Sequence, residues 1–207
     1  MNAVCEPEEA LESQPETAIL EERATMPARP ATSPTRIVLT GFMGAGKSTV
    51  GRLLAERLGW RFVDVDEAIT EKAGMPVTQI FAKYGEFVFR RMETSAIAHA
   101  LGERDAVIAL GGGAVEVLAN RLLLEQTPRT TVAFLEASLP VLLARCHAQD
   151  GGETRPNLST AEERFQYRAP LYRRVARLRL NTGEQTPQQI AAALQEMAGV
   201  GASTDLP

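Results

Sequence analysis

The sequence predicts an α/β sandwich built on a parallel sheet. Three observations predict it. Short apolar runs recur along the chain, longer stretches with helical apolar spacing separate them, and a glycine-rich loop joins the first run to the first helical stretch. Strands that alternate with helices are joined by right-handed crossovers, which makes the strands parallel and puts their number at about five.

The elements follow in chain order. Residues 36–40 (RIVLT), 61–65 (RFVDV), 106–110 (AVIAL), 130–135 (TTVAFL) and 176–180 (ARLRL) are the expected strands, the first four largely buried. Between them, residues 47–58 place Val50, Leu53, Leu54 and Leu58 on one helical stripe, and residues 86–101 do the same with Phe89, Met92, Ile97 and Leu101. Ser138 is placed to cap the next helix. Thr186 caps the last, with Pro187 at its first position.

Residues 1–35 stand apart. They hold five prolines, seven Glu and no aromatic residue, so they cannot bury enough apolar surface to offset their ordering entropy. They are expected to be a disordered acidic extension, followed by one domain over 36–198 and a frayed tail over 199–207. The chain of 207 residues carries a formal charge of −4, and this acidity is local. Residues 1–35 hold seven Glu against two Arg, a charge of −5, whereas the rest holds 20 Lys plus Arg against 19 Asp plus Glu, a charge of +1. The body therefore has no bulk charge favouring nucleic acid or an anionic membrane. No apolar run approaches the ~18–20 residues of a membrane span, and the first residues lack the basic and apolar regions of a secretory signal. Two cysteines, Cys5 and Cys146, are too few for a disulfide framework and suit a reducing cytoplasm.

The strongest motif is Gly41-Phe-Met-Gly44-Ala45-Gly46-Lys47-Ser48, followed by Thr49, which fits GxxxxGK[ST]. Such a loop turns backbone N–H groups toward phosphate oxygens at a helix N-terminus. Lys47 would reach the β- and γ-phosphates, and Ser48 would bind Mg²⁺. Asp64 and Asp66 sit at alternate positions at the end of the second strand, where strand C-termini line the ligand crevice. One would support Mg²⁺ and the other accept a proton from an attacking hydroxyl. A plainer role for Asp66 is to cap the helix at 67–73. Gly111-Gly112-Gly113 follows a central strand and permits close approach of backbone to ligand. Residues 147–160 form a polar, glycine-bearing stretch expected to be a lid, with Arg155 reaching the phosphates. Arg90, in FVFRRME, and Arg168, in YRAPLYRR, supply guanidinium groups suited to a carboxylate. His99 and His147 are expected to be structural or solvated.

In this order and spacing, GFMGAGKSTVGRLLA, the Asp64–Asp66 pair, FVFRRME, LGGGA, the lid Arg-Pro pair and YRAPLYRRVA resemble the shikimate kinases over residues 36–197. The resemblance implies a P-loop sandwich whose five parallel strands run in the order 2-3-1-4-5. It implies phosphorylation of the shikimate 3-hydroxyl by ATP with Mg²⁺; separately, the chain is expected to be a cytoplasmic monomer. It implies that Arg90 and Arg168 grip the shikimate carboxylate. Asp66 and the backbone near Gly112 would hold the hydroxyls, with Asp66 as base, and Asp64 would support Mg²⁺ through water beside Ser48. Arg145 would stack on adenine, and Phe81, Phe89 and Glu93 would line the acceptor pocket. Two departures stand out: the lid reads RPNL where many members have RPLL, and the stretch before Pro187 lacks an arginine that some members carry. A gluconate-type kinase would share the P-loop and lid but not the Asp66, FRR, GGG and RxPLYRR combination. A non-catalytic relative would have lost Lys47, the acids or Arg155.

Overall fold

The computed structural model describes residues 33–149 and 158–201. Of the expected extension 1–35, lid 147–160 and tail 199–207, residues 1–32, 150–157 with Arg155, and 202–207 lie outside the described residues. At their edges, Ser33 and Thr35 are buried and bonded to Arg129 rather than outside the domain, and residues 147–149 and 158–160 are helical rather than loop.

The described elements run β1 (Arg36–Thr40), α1 (Lys47–Leu58), β2 (Arg61–Asp64), α2 (Val65–Ala73), α3 (Val77–Gly102) and β3 (Ala106–Ala109). A 3₁₀ turn (Ala114–Glu116) follows, then α4 (Leu118–Gln126), β4 (Thr130–Glu136), α5 (Leu139–Gln149), α6 (Leu158–Val175), β5 (Leu178–Asn181) and α7 (Pro187–Met197). The strands form one parallel sheet in the order β2-β3-β1-β4-β5, as expected. Arg36 pairs with Ala106 on one side and Thr130 on the other, so the strand carrying the glycine-rich loop lies at the centre.

The core follows the sequence pattern. Ile37, Val38 and Leu39 of β1 and Val107 and Ile108 of β3 are fully buried, and Val50, Leu54 and Leu58 bring α1 onto the sheet. α7 packs beside α1 through Ile190, Ala191 and Leu194. Burying each of the larger of these side chains (Val, Leu and Ile) stabilises the fold by ~1.5–3 kcal/mol. Thr186 caps α7 through a reciprocal box with Gln189, as its sequence suggests. Beyond α7, Gly199 takes a left-handed φ of 64°, and the buried Val200 bonds back to the Gln195 carbonyl.

Further local expectations are corrected. β2 ends at Asp64 rather than Val65, because the Asp64 carboxylate accepts the N–H groups of Asp66 and Glu67 and starts α2. Asp64, not Asp66, is therefore the helix cap. β2 is also an edge strand with a neighbour on one side only, so it is half-buried and Arg61 is exposed. β5 starts at Leu178 rather than at residue 176, since the Ala176 N–H still closes the last turn of α6 on the Tyr172 carbonyl. Finally, residues 77–84 are helical and meet the expected helix at Gly85, whose φ of 79° and ψ of 168° break the α3 axis. No helix among the described residues is long and apolar enough to cross a membrane.

Candidate active site

The loop between β1 and α1 forms an anion cradle. Gly41, Gly44 and Gly46 all take positive φ, the backbone freedom by which such a loop can turn N–H groups toward one anion. α1 starts at Gly46 with no side-chain cap and no acid in its first turn, so its N-terminal N–H groups face outward without a protein anion. Lys47 folds back over the loop, donating to the carbonyls of Gly41 at 3.0 Å and Phe42 at 3.1 Å. Burial pulls its ammonium below the usual lysine value, and Asp66 and Asp64 oppose that pull. Ala45 is buried within the loop, and Thr49 is exposed on the first turn of α1.

Ser48 and Asp64 meet beside this cradle. The Ser48 hydroxyl donates to Asp64 Oδ2 at 2.6 Å, while Oδ1 of the same carboxylate holds the start of α2. Two hard oxygen donors at a phosphate cradle fit Mg²⁺, which keeps most of its water and takes one or two protein oxygens. This donor set is too small for an all-protein cage and right for an ion shared with nucleotide phosphates.

The second half of the site gathers around the glycine triplet. Asp66, in the first turn of α2, and Glu93, fully buried on α3, each aim a carboxylate oxygen at Gly111. A Cβ on Gly111 would stand 2.8 Å from Asp66 Oδ1 and 2.7 Å from Glu93 Oε1. Both oxygens are buried and accept no protein hydrogen bond. Burial raises both carboxyls above the ordinary range. Asp64 raises Asp66 further, whereas Arg90 draws Glu93 back down. Buried acceptors without partners are costly unless a ligand donates to them.

Two guanidinium groups complete the rim. Arg90 donates to Glu93 at 2.8 Å and Glu86 at 3.1 Å, and its head lies against Gly113, where a Cβ would collide with it. Burial disfavours its charge, but Glu93, Glu86 and Glu116 outweigh this and hold Arg90 above the usual arginine value. Arg168 reaches in from α6, with its Cζ 5.9 Å from the Phe42 ring and Nη1 beside Gly112. Phe81 and Phe89 pack at 4.4 Å to form an apolar wall under Arg90.

Of the residues singled out from the sequence, Lys47, Ser48, Asp64, Asp66, Phe81, Phe89, Arg90, Glu93, Gly111, Gly112, Gly113 and Arg168 therefore collect at the C-terminal rim of the sheet. Arg145 stands elsewhere: from α5 it grips the β5–α7 loop, donating to Thr182 and to the Gly183 carbonyl. Arg155 lies outside the described residues. His99 is exposed on α3, and His147 is half-buried on α5. Two participants were not foreseen. Glu116 bonds Arg168 and lies near Arg90, and the buried Tyr172 hydroxyl donates to the Gly112 carbonyl. The acid three residues beyond the glycine triplet and the tyrosine four residues after Arg168 were the available signals.

Comparison with known proteins agrees with this geometry. The family model for shikimate kinase matches residues 43–198. A shikimate kinase of Geobacter sulfurreducens is 50 % identical over 124 residues, covering 60 % of this chain and 66 % of the relative. One of Mycobacterium avium is 42 % identical over 159 residues, covering 73 % and 86 %. A solved shikimate kinase of Acinetobacter baumannii, in complex with shikimate, superposes with a TM-score of 0.71 at 35 % identity, covering 81 % of this chain and 95 % of that one. The match runs through the whole body, from the phosphate cradle to the last helix, and the chain belongs to the shikimate kinase family.

Proposed function

We propose that this chain transfers the γ-phosphoryl group of ATP to the 3-hydroxyl of shikimate, and that the residues gathered at the sheet rim divide the work as follows. The cradle at 44–49 and Lys47 bind the phosphates, with Arg145 and the loop it holds near the base. Ser48 and Asp64 would hold Mg²⁺, which supplies neutralisation of charge on the β- and γ-phosphate oxygens. Arg90 and Arg168 hold the acceptor's carboxylate, Glu93 and Asp66 accept its hydroxyls, and the Phe81–Phe89 wall faces the ring. Asp66 takes the proton from the 3-hydroxyl as the oxygen forms its bond to phosphorus. The bond to the bridging β,γ-oxygen breaks, and ADP leaves. A carboxyl raised by burial is a better base than a solvated one, which supports this assignment. Most of the rate comes from positioning and charge, since phosphoryl transfer asks little covalent help of the protein. We place the enzyme in the cytoplasm as a monomer that needs neither nucleic acid nor membrane, in line with its near-neutral body.

The single observation that carries this reading is the pair of buried, unpartnered carboxylate oxygens of Asp66 and Glu93 facing Gly111 beside the cradle. The test is ADP release from ATP and Mg²⁺ with shikimate, gluconate, AMP or no acceptor, run with Asp66→Asn alongside. Turnover with shikimate alone, lost in the variant, is expected. Turnover that survives Asp66→Asn removes the base assignment, and turnover with gluconate or AMP instead removes the acceptor.

A further inference from the structure

Glu116 is a carboxylate set between two guanidinium groups. Its Oε1 accepts from Arg168 Nε at 2.5 Å, and its Oε2 lies 3.7 Å from Arg90 Nη2. It sits at the end of the 3₁₀ turn Ala114–Glu116, a rigid mount: Ala114 and Val115 are fully buried, and the Glu116 N–H closes the turn on the Gly113 carbonyl. Arg121 fixes the same turn from below by donating to the carbonyls of Val115 and Glu116.

The way Glu116 engages Arg168 leaves that arginine useful. It takes the Nε edge, the Tyr172 hydroxyl hydrogen-bonds the same guanidinium, and Nη1 lies 3.8 Å from where a Gly112 Cβ would stand. A guanidinium held at one edge presents its remaining fork in a fixed direction, the geometry that bidentate carboxylate recognition needs. Like charges on Arg90 and Arg168 would push the two heads apart, and a carboxylate between them offsets that repulsion. Holding a long side chain in its binding rotamer before the ligand arrives removes an entropy cost from binding.

We infer that Glu116 is a positioning residue for acceptor recognition, aligning Arg168 against Arg90 so that both meet one carboxylate on the substrate. The inference rests on the acceptor reading given above. It adds that a residue from the turn after the glycine triplet, touching no substrate atom itself, sets affinity for the anionic end of the acceptor.

Glu116→Ala and Glu116→Gln test it in the same steady-state assay, with shikimate and ATP varied separately. Glu116→Ala is expected to raise the shikimate KM by about tenfold while kcat and the ATP KM change by less than about threefold. Glu116→Gln keeps an acceptor for Arg168 Nε and is expected to bring the shikimate KM back to within about threefold of the unaltered enzyme. A shikimate KM that is unchanged or lowered in Glu116→Ala overturns the inference, and shows Glu116 to be a competitor for the arginines or a bystander. Equal losses in the ATP KM and in thermal stability for both variants also overturn it, by showing a merely structural role. The unaltered enzyme run alongside separates the two readings. No turnover with shikimate there removes the acceptor assignment and this inference with it, whereas turnover with an unresponsive Glu116→Ala removes this inference alone.

Discussion

The Ser48 hydroxyl and the Asp64 carboxylate meet at 2.6 Å, and that carboxylate also caps α2 through its other oxygen. One side chain thus ties the phosphate loop to the end of β2 and to the helix that carries Asp66. Asp64→Ala is expected to cost ~1 kcal/mol of stability through the lost cap and to shift the Mg²⁺ titration of activity to higher concentration. A melting curve and a Mg²⁺ titration of kcat read the two effects separately. Asp64→Asn should keep most of the stability, because Asn caps a helix nearly as well, while still weakening Mg²⁺ dependence.

Asp66→Asn should lower kcat by at least ~100-fold if the carboxylate is the base. The same variant should be more stable than the parent at neutral pH. The folded protein raises the Asp66 pKa by burial and by Asp64, so the native state binds the proton more tightly than the unfolded chain does. Stability from this group is therefore complete below the unfolded pKa and lost as pH rises through the folded one. Removing the charge returns that loss, so the gain in Tm should be larger at pH 8 than at pH 5. Thermal melts of both proteins at the two pH values check it, and a gain independent of pH would contradict the electrostatic cause.

Gly111→Ala should separate acceptor from nucleotide. Its methyl would stand 2.7 Å from Glu93 Oε1 and 2.8 Å from Asp66 Oδ1, so both carboxylates must move. Overpacking of this kind costs ~1–3 kcal/mol. The shikimate KM should rise and kcat fall, while binding of a fluorescent ADP analogue stays near that of the parent. Equal damage to both ligands would contradict the division of the site.

Arg145→Ala should act on the nucleotide side. Arg145 holds the β5–α7 loop through Thr182 and Gly183, and two or three charge-assisted bonds to this loop are lost with it. An affinity loss for ATP of about tenfold is expected, with the shikimate KM unchanged. Isothermal titration with ADP measures it directly.

Much of this architecture was legible in the chain. Central strands such as RIVLT carry an unbroken apolar run, here Ile37 to Leu39, because both faces are covered, and the loop after it carries its chemistry in local order. The unread parts have physical reasons. Asp64 and Asp66 look alike at the end of a strand, and only the helix turning on Asp64 decides which one caps and which one is free. Glu116 resembles any solvated acid until Arg168, 52 residues later, folds across it. Tyr172 shows its role only through the Gly112 carbonyl, 60 residues earlier. β2 and β5 were harder to bound because an edge strand has one neighbour and so keeps a mixed pattern.

The sheet order has a consequence for biosynthesis. β1 leaves the ribosome early but is central, and its first neighbour, β3, begins at Ala106, which pairs with Arg36. β2 emerges next, yet it pairs only with β3. At ~5–20 residues per second, the nascent chain spends seconds with two strands made and no partner for either. A sheet can close only after Ala109 has cleared the exit tunnel, so the nascent phosphate loop waits without its scaffold. A translational pause placed before that point would lengthen the time an apolar strand stays open to chaperones or to aggregation.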